Sequence, residues 1–225
     1  MQNQPTTLPD LEKFGSPYIF FSNDENADLL YVSDSVEEVL GFPREQAIGR
    51  KYTEFLAGSK LNSDIAELRE RRFAGDESHE SLRAVMDRNR EIRVLKVKTF
   101  GEVDEVGNVV ANHGIAEDVT SAYQKQQGLR RRLGELEEII QKLSERERVV
   151  LALVMAGRLN KIIARELEIT IRGVERVRSR LMTKFKAETS AHLVSMASEW
   201  KVLSQVLAAF GPLSTTESPV GLLSC

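Results

Sequence analysis

Apolar and polar residues change their period along the chain, and each change marks an element. Tyr18-Ile19-Phe20-Phe21-Ser22 is a short apolar run that reads as a strand. Asn23-Asp24-Glu25-Asn26 has turn chemistry, and Leu29-Leu30-Tyr31-Val32 reads as a second strand. Ser33 or Asp34 is placed to cap a helix over residues 35–40. Gly41 should end that helix, and Pro43 should open a further helical turn. Residues 62–73, with Ile65 and Leu68 on one side, read as another helix. From His79 the period shortens to two. Residues 81–86, 92–100 and 108–115 are strand-like. Val94, Lys96 and Lys98 alternate with Leu95, Val97 and Thr99, as in a half-buried strand. Asp104-Glu105-Val106-Gly107-Asn108 supplies a hairpin turn.

After Asp118-Val119-Thr120 the period changes again. Leu129, Leu133, Leu136, Ile140 and Leu143 are spaced 4, 3, 4, 3, an a/d seam flanked by Arg130, Arg131, Arg132, Glu135, Glu137 and Glu138. The seam over Leu129, Leu133, Leu136 and Ile140 predicts a dimeric coiled coil. The competing reading is one amphipathic helix packed on its own domain. Gly128 and Gly134 weaken this helix by roughly 1 kcal/mol each relative to alanine.

Four further helices follow. Ser144 with Glu147 three residues on is a capping box, with Val149, Val150, Leu153 and Val154 as the buried stripe and Gly157 as the stop. A second helix runs from about Asn160 to Leu167 and buries Ile163, Ala164 and Leu167. After the link Glu168-Ile169-Thr170, a third helix spans residues 171–184 with Thr170 as N-cap. Val174, Val177, Arg178, Leu181 and Phe185 share one face. Arg172, Glu175, Arg176, Ser179, Arg180 and Thr183 share the other. The last helix, about 190–210, carries a stripe of Leu193, Met196, Ala197, Trp200, Leu203, Leu207 and Phe210.

Charge separates the two halves. Residues 143–193 hold 11 Lys/Arg against 6 Asp/Glu, a local +5. The rest of the chain holds 20 basic and 28 acidic residues, or −8. A basic surface attracts the DNA phosphate backbone whatever the net charge. A helix that anchors one face in a small core and offers arginines on the other has what major-groove reading needs. Composition is ordinary for a globular protein, with 41% hydrophobic and 29% charged residues. No run approaches the roughly 18 apolar residues of a membrane span. The first ten residues lack a secretory pattern, so a cytoplasmic location without membrane attachment is expected. Cys225 is the one cysteine, which rules out an internal disulfide and a cysteine zinc site. No metal site is expected.

Leu143-Ser144-Glu145-Arg146-Glu147-Arg148, Gly157, Asn160-Lys161, Ile163-Ala164, Leu167, Ile169-Thr170, Val174, Arg178 and Ser190-Ala191-His192-Leu193 together resemble the LuxR-type (GerE-like) helix-turn-helix family, closest to its FixJ-type branch. The resemblance implies that the helix over residues 171–184 enters the major groove. Glu175, Arg176 and Ser179 would face bases. Asn160, Lys161, Thr170, Arg172, Arg180 and Lys184 would hold phosphates. It also implies that the last helix pairs two subunits. The chain departs from the family pattern at Glu168 (usually Gly), Gly173 (usually Thr), Val177 (usually His) and Glu175 (often Lys).

Tyr31-Val32-Ser33-Asp34-Ser35, Leu40-Gly41-Phe42-Pro43, Ile48-Gly49-Arg50, Gly107-Asn108-Val109-Val110 and Gly114-Ile115-Ala116-Glu117-Asp118-Val119-Thr120 resemble a PAS domain. That resemblance implies a five-stranded antiparallel sheet with helices over one face. It also implies a small-molecule or protein ligand. The cysteinyl-flavin variety needs a cysteine in its helical segment, which Cys225 cannot supply. Haem needs an axial ligand, usually histidine. His79, read as a loop residue, and His113, on a strand, are expected to be structural or solvated. The cofactor is unassigned, with none, a small ligand or a non-covalent flavin left open.

The expected architecture is therefore α+β: an arm (1–14), a PAS sensory domain (15–120), a coiled-coil signalling helix (121–142), a four-helix LuxR-type unit (143–210) and a disordered tail (211–225). No phosphate-binding glycine loop, zinc-type His/Glu pair or activated nucleophile is present, so no enzyme is expected. Ser22-Asn23-Asp24-Glu25 imitates the acidic cluster of a phosphoreceiver, but the next strand starts too soon, at Leu29, for that fold. The expected function is a transcriptional regulator that binds double-stranded DNA as a homodimer under control of the PAS domain, without a phosphorelay. The alternative is a protein-interaction module with weakened DNA binding.

Overall fold

The computed structural model describes residues 18–66, 78–107 and 109–210. β1 (Tyr18–Asp24), β2 (Leu29–Val32), β3 (Ser78–Met86), β4 (Ile92–Val103) and β5 (Val109–Asp118) form one antiparallel sheet in the order β2-β1-β5-β4-β3. Register aligns the inward residues in rows. Ile19 faces Ala116, which faces Val97, which faces Ser81; Leu95 faces Arg83. The rows pack under α1 (Ser35–Leu40) and α2 (Arg44–Ala47), with Leu29, Val32, Val36, Val39, Leu40, Ala47 and Val85 in the same core. Gly114 sits in the middle of this face beneath the Phe21 ring. A Cβ there would lie 2.3 Å from the ring's Cζ, so only glycine admits the close approach.

Several local expectations are refined. Gly41 ends α1 at a left-handed φ of 74°, as its position suggested. Neither Ser33 nor Asp34 makes a side-chain cap to α1. Asp34 instead pairs with Arg44 at 3.1 Å, and Ser33 Oγ accepts from the Phe20 amide at 2.9 Å. His79 is a strand residue of β3, not a loop residue, because β3 begins at Ser78. The helix read over 62–73 is preceded by a 3-10 turn at Lys60–Asn62. Ile65 and Ala66 are helical, and the remainder lies outside the described residues. The arm, the tail and Asn108 of the hairpin also lie outside them.

Asp118 joins sheet to helix. Its carboxylate accepts from the Thr120 amide at 2.9 Å and from the Thr120 hydroxyl, whose oxygen in turn accepts from the Val94 amide at 2.8 Å. α3 (Thr120–Gln141) starts there.

Contacts divide the chain after Tyr123. In the second unit α4 (Glu145–Met155), α5 (Asn160–Glu166), α6 (Ile171–Phe185) and α7 (Ser190–Phe210) surround a core of Val150, Val154, Ile163, Val174, Leu181, Phe185 and Leu193. The end of α3 belongs to this unit, with Ile140 in the same core. Arg132 of α3 forks onto Glu199 of α7, Nε at 3.0 Å and Nη2 at 2.9 Å, which holds the Glu199 carboxyl below its ordinary range.

This placement redraws the heptad seam. Leu136 is 0% exposed and Ile140 9% exposed within a single chain. They are therefore core residues already, because each leucine or isoleucine buried this way is withdrawn from any surface a second chain could cover. Leu129 and Leu133 remain half-exposed.

Candidate DNA-reading face and a ligand-sized cavity

The reading helix is set from its first residue. Thr170 stands before α6 with extended backbone, and its hydroxyl oxygen accepts from the Gly173 amide at 3.0 Å. α5 closes with the Ile169 amide donating to the Ala164 carbonyl at 2.9 Å. Glu168 between them takes φ 52°, the left-handed region. The family's usual glycine has no Cβ to strain there, whereas a side chain costs about 1 kcal/mol. Glu168→Gly is therefore expected to raise the thermal midpoint of the second unit by an amount equivalent to about 0.5–1 kcal/mol, measured by calorimetry. An unchanged or lowered midpoint would show that the left-handed strain is absent.

Inward, α6 buries Val174, Val177, Leu181 and Phe185. Arg178 shares that side because its guanidinium is used there. Nη1 donates to Asn160 Oδ1 at 3.0 Å and Nη2 to Ser190 Oγ at 2.9 Å, tying α6 to the first residues of α5 and α7. Outward, Arg172, Glu175, Arg176, Ser179 and Arg180 are all exposed, and so are Lys161 and Thr170. The helix thus presents three arginines and one glutamate, with Lys161 on α5.

Two of the residues read from sequence have other occupations. Asn160 is half-buried and accepts from Arg178. Lys184 is exposed, but its ammonium is already bonded. Its ammonium donates to Glu147 Oε2 at 2.7 Å and to the Lys142 carbonyl at 2.9 Å. Glu147 is the reason: its side chain is 7% exposed, and a carboxylate that dry requires a cation. Ser144 completes the capping box, its amide donating to Glu147 Oε2 at 2.8 Å and its hydroxyl accepting from the Glu147 amide at 3.3 Å.

The Lys184 bond holds the Glu147 carboxyl below its ordinary range against the opposing effect of burial, with help from the Ser144 amide. A carboxyl whose folded-state value is depressed stabilises the fold above its unfolded value and loses that contribution as pH falls through the folded one. Acid unfolding of the parent should therefore steepen below about pH 4.5, and Glu147→Gln should flatten that limb. At neutral pH the substitution should cost about 2 kcal/mol, less than a fully buried pair because Lys184 is one-third exposed. Parallel acid titrations followed by circular dichroism give both values.

The first unit holds a different feature. Between the inner sheet face, α1, α2 and a 3-10 turn at Tyr52–Phe55 is a cavity of about 800 Å³, within the size range of small-molecule sites. Its wall is largely apolar and aromatic, including Phe21, Leu40, Phe42, Phe55 and Val97. Phe42 and Phe55 meet edge to face at 5.5 Å between centroids. Ser81, Thr99, Asn112 and Arg83 add polar atoms. Arg83 escaped the sequence reading. The alternation Ser81, Arg83, Val85 on β3 would have flagged it as an inward-facing arginine, but pattern alone does not say which face of a strand is inward.

Among the described residues no group of three or more His, Cys, Asp or Glu is arranged to hold a metal ion. No helix among them is long and apolar enough to cross a membrane.

Residues 11–124 match the family profile described as PAS fold, and residues 141–197 match that of bacterial regulatory proteins, luxR family. The chain belongs to the PAS fold family and carries a luxR-family domain. Over 58 residues, 26% of the PAS–luxR chain and 28% of the other, it is 53% identical to the transcriptional regulatory protein FixJ of Rhizobium meliloti. FixJ of Bradyrhizobium diazoefficiens is 46% identical over 55 residues, 24% of this chain and 27% of that one. The PAS–luxR chain thus spans about a quarter of the length of these curated relatives. Among solved structures it is similar to the Vibrio cholerae VqmA dimer in the absence of target DNA, at 21% identity and a TM-score of 0.37, covering 86% of this chain and 88% of that one. It is also similar to the PAS domain of an HTR-like protein from Haloarcula marismortui, at 18% identity and a TM-score of 0.39, covering 46% of this chain and 82% of the other.

Proposed function

We propose that this protein is a transcriptional regulator that reads specific DNA sequences with its luxR-type unit under the control of a signal received by its PAS unit. The observation that carries this reading is the outward face of α6. Arg172, Glu175, Arg176, Ser179 and Arg180 form an exposed polar row on a helix whose opposite face is fully anchored. Such a face pays no folding role that would demand three arginines, whereas base edges and phosphates use their planar donors directly. Glu175 can accept from a cytosine amino group. Arg172 and Arg180 at the ends of the row, with Lys161 and Thr170, are assigned to phosphates.

The regulator acts as a homodimer, with Leu129 and Leu133 of α3 as its remaining seam. They are half-exposed one turn apart, on the helix that follows the last strand of the sheet. A dimer reads two half-sites, and the PAS unit biases how the two reading helices are spaced. The chain acts in the cytoplasm on double-stranded DNA.

The test is selection of genomic fragments by the purified chain, followed by gel shifts from roughly 50 to 200 mM salt. Enrichment of a common motif, with affinity falling as salt rises, is expected. Equal retention of all fragments, or of none, would overturn sequence-specific reading and favour a protein-interaction module.

A further inference from the structure

We propose that the PAS cavity binds a monocarboxylate with an apolar body, and that Arg83 is the group that takes its carboxylate. The proposal rests on the cavity being the signal-receiving site, and it names the ligand's chemistry.

Arg83 stands on β3 and lines the cavity, with its side chain only 8% exposed. A guanidinium this dry needs a counter-charge. Its counter-charge is Asp64, at 2.7 Å from Nη1 and 3.2 Å from Nη2. Asp64 is not part of the same dry environment: its side chain is 40% exposed, on the turn after Lys60–Asn62. The pair is therefore asymmetric. If another carboxylate takes the arginine from inside the cavity, Asp64 recovers its hydration at little cost, while Arg83 never loses an anionic partner.

The arginine is also held in place without Asp64. Nη1 donates to the Leu61 carbonyl at 2.7 Å and, more weakly, to the Leu82 carbonyl at 3.3 Å. These two bonds keep the planar fork where it is when the aspartate leaves, so an incoming carboxylate meets a preorganised site. Ser81 is two residues away on the same strand face, also lines the cavity, and is 7% exposed, so its hydroxyl can give the carboxylate a second partner.

The rest of the wall sets the body of the ligand. Leu40, Phe42, Phe55, Leu56 and Val97 offer apolar surface, and the other acidic or basic lining groups are half-buried Asp24 and His79 and exposed Glu25, of which the two carboxylates would repel a second anionic group. A dicarboxylate or a phosphate would place unpaired charge against this wall, which is costly. An aliphatic or aryl acid would not.

The experiment is calorimetric titration of the full chain with octanoate and with 3-phenylpropanoate, against octanamide as the uncharged control. The parent should bind at least one acid and bind octanamide far more weakly. Asp64→Asn removes the competing carboxylate and should tighten acid binding by roughly tenfold, about one charge-assisted hydrogen bond. Arg83→Met should abolish it. If Arg83→Met fails to fold, the Asp64→Asn comparison still decides. Equal binding of acid and amide, unchanged or weaker acid binding by Asp64→Asn, or no binding of either acid overturns the proposal. Gel shifts without ligand report the DNA-reading face separately, so a silent titration with intact DNA binding sinks this inference alone.

Discussion

Leu136→Asp is expected to cost the chain roughly 4 kcal/mol or more, enough to unfold much of it near physiological temperature. Leu136 is 0% exposed in a single chain. The substitution removes a buried isobutyl group and puts a carboxylate in a dry site, where Arg132, one turn away on α3, is already bonded to Glu199 and Glu135. Leu129→Asp and Leu133→Asp touch half-exposed positions of the same seam. They should leave the thermal midpoint within roughly 1 kcal/mol of the parent while shifting sedimentation from dimer to monomer. The contrast separates the two jobs that one heptad pattern combines. Scanning calorimetry and sedimentation of the three variants test it. A Leu136→Asp chain that melts like the parent but sediments as a monomer would return Leu136 to the intermolecular seam.

Arg176→Ala is expected to weaken binding to the selected motif by roughly 10- to 100-fold, the 1–3 kcal/mol of a bidentate base contact, and to relax preference at one base position. Arg176 is exposed and makes no described bond on which folding depends, so its thermal midpoint should not move. Lys161→Ala should behave differently. A phosphate contact weakens all sequences alike and lowers the salt slope by about one unit. Lys184→Ala provides a control on the reading of the structure. Its ammonium is committed to Glu147 and the Lys142 carbonyl, so the loss should appear as stability, not as salt dependence. Parallel gel shifts at several salt concentrations give all three results. If Arg176→Ala and the parent select the same motif with the same affinity, the outward face of α6 does not read bases.

Much of this protein was legible in its residues because the signals are local. Capping chemistry acts within four residues, so Ser144 with Glu147 and Thr170 with Gly173 located two helix starts that the structure retains. The 3.6 period of α6 follows from backbone geometry alone, and its two faces came out buried and exposed as the pattern implied. In residues 92–100 the period-two pattern located the strand, but Val94 and Leu95, on opposite faces, are both buried. The left-handed position of Glu168 could be anticipated from the glycine that usually stands there. Such short-range information located the individual strands and helices; that five of the strands form one antiparallel sheet was implied by the PAS resemblance, since β1 pairs with β5, far along the chain.

What the tertiary structure alone decided are pairings between residues far apart in the chain. A heptad does not say whether its partner is a second chain or its own domain; packing settled that for Leu136 and Ile140. A basic residue at the end of a reading helix looks like a phosphate contact until a dry carboxylate 37 residues away claims it, as Glu147 claims Lys184. The cavity of the PAS unit and the pairing of Arg83 with Asp64 likewise exist only once strand register is set. Local sequence chooses the elements because their energies are set within a few residues. The charges and apolar faces left over are then assigned by which elements meet, and desolvation makes those assignments binding.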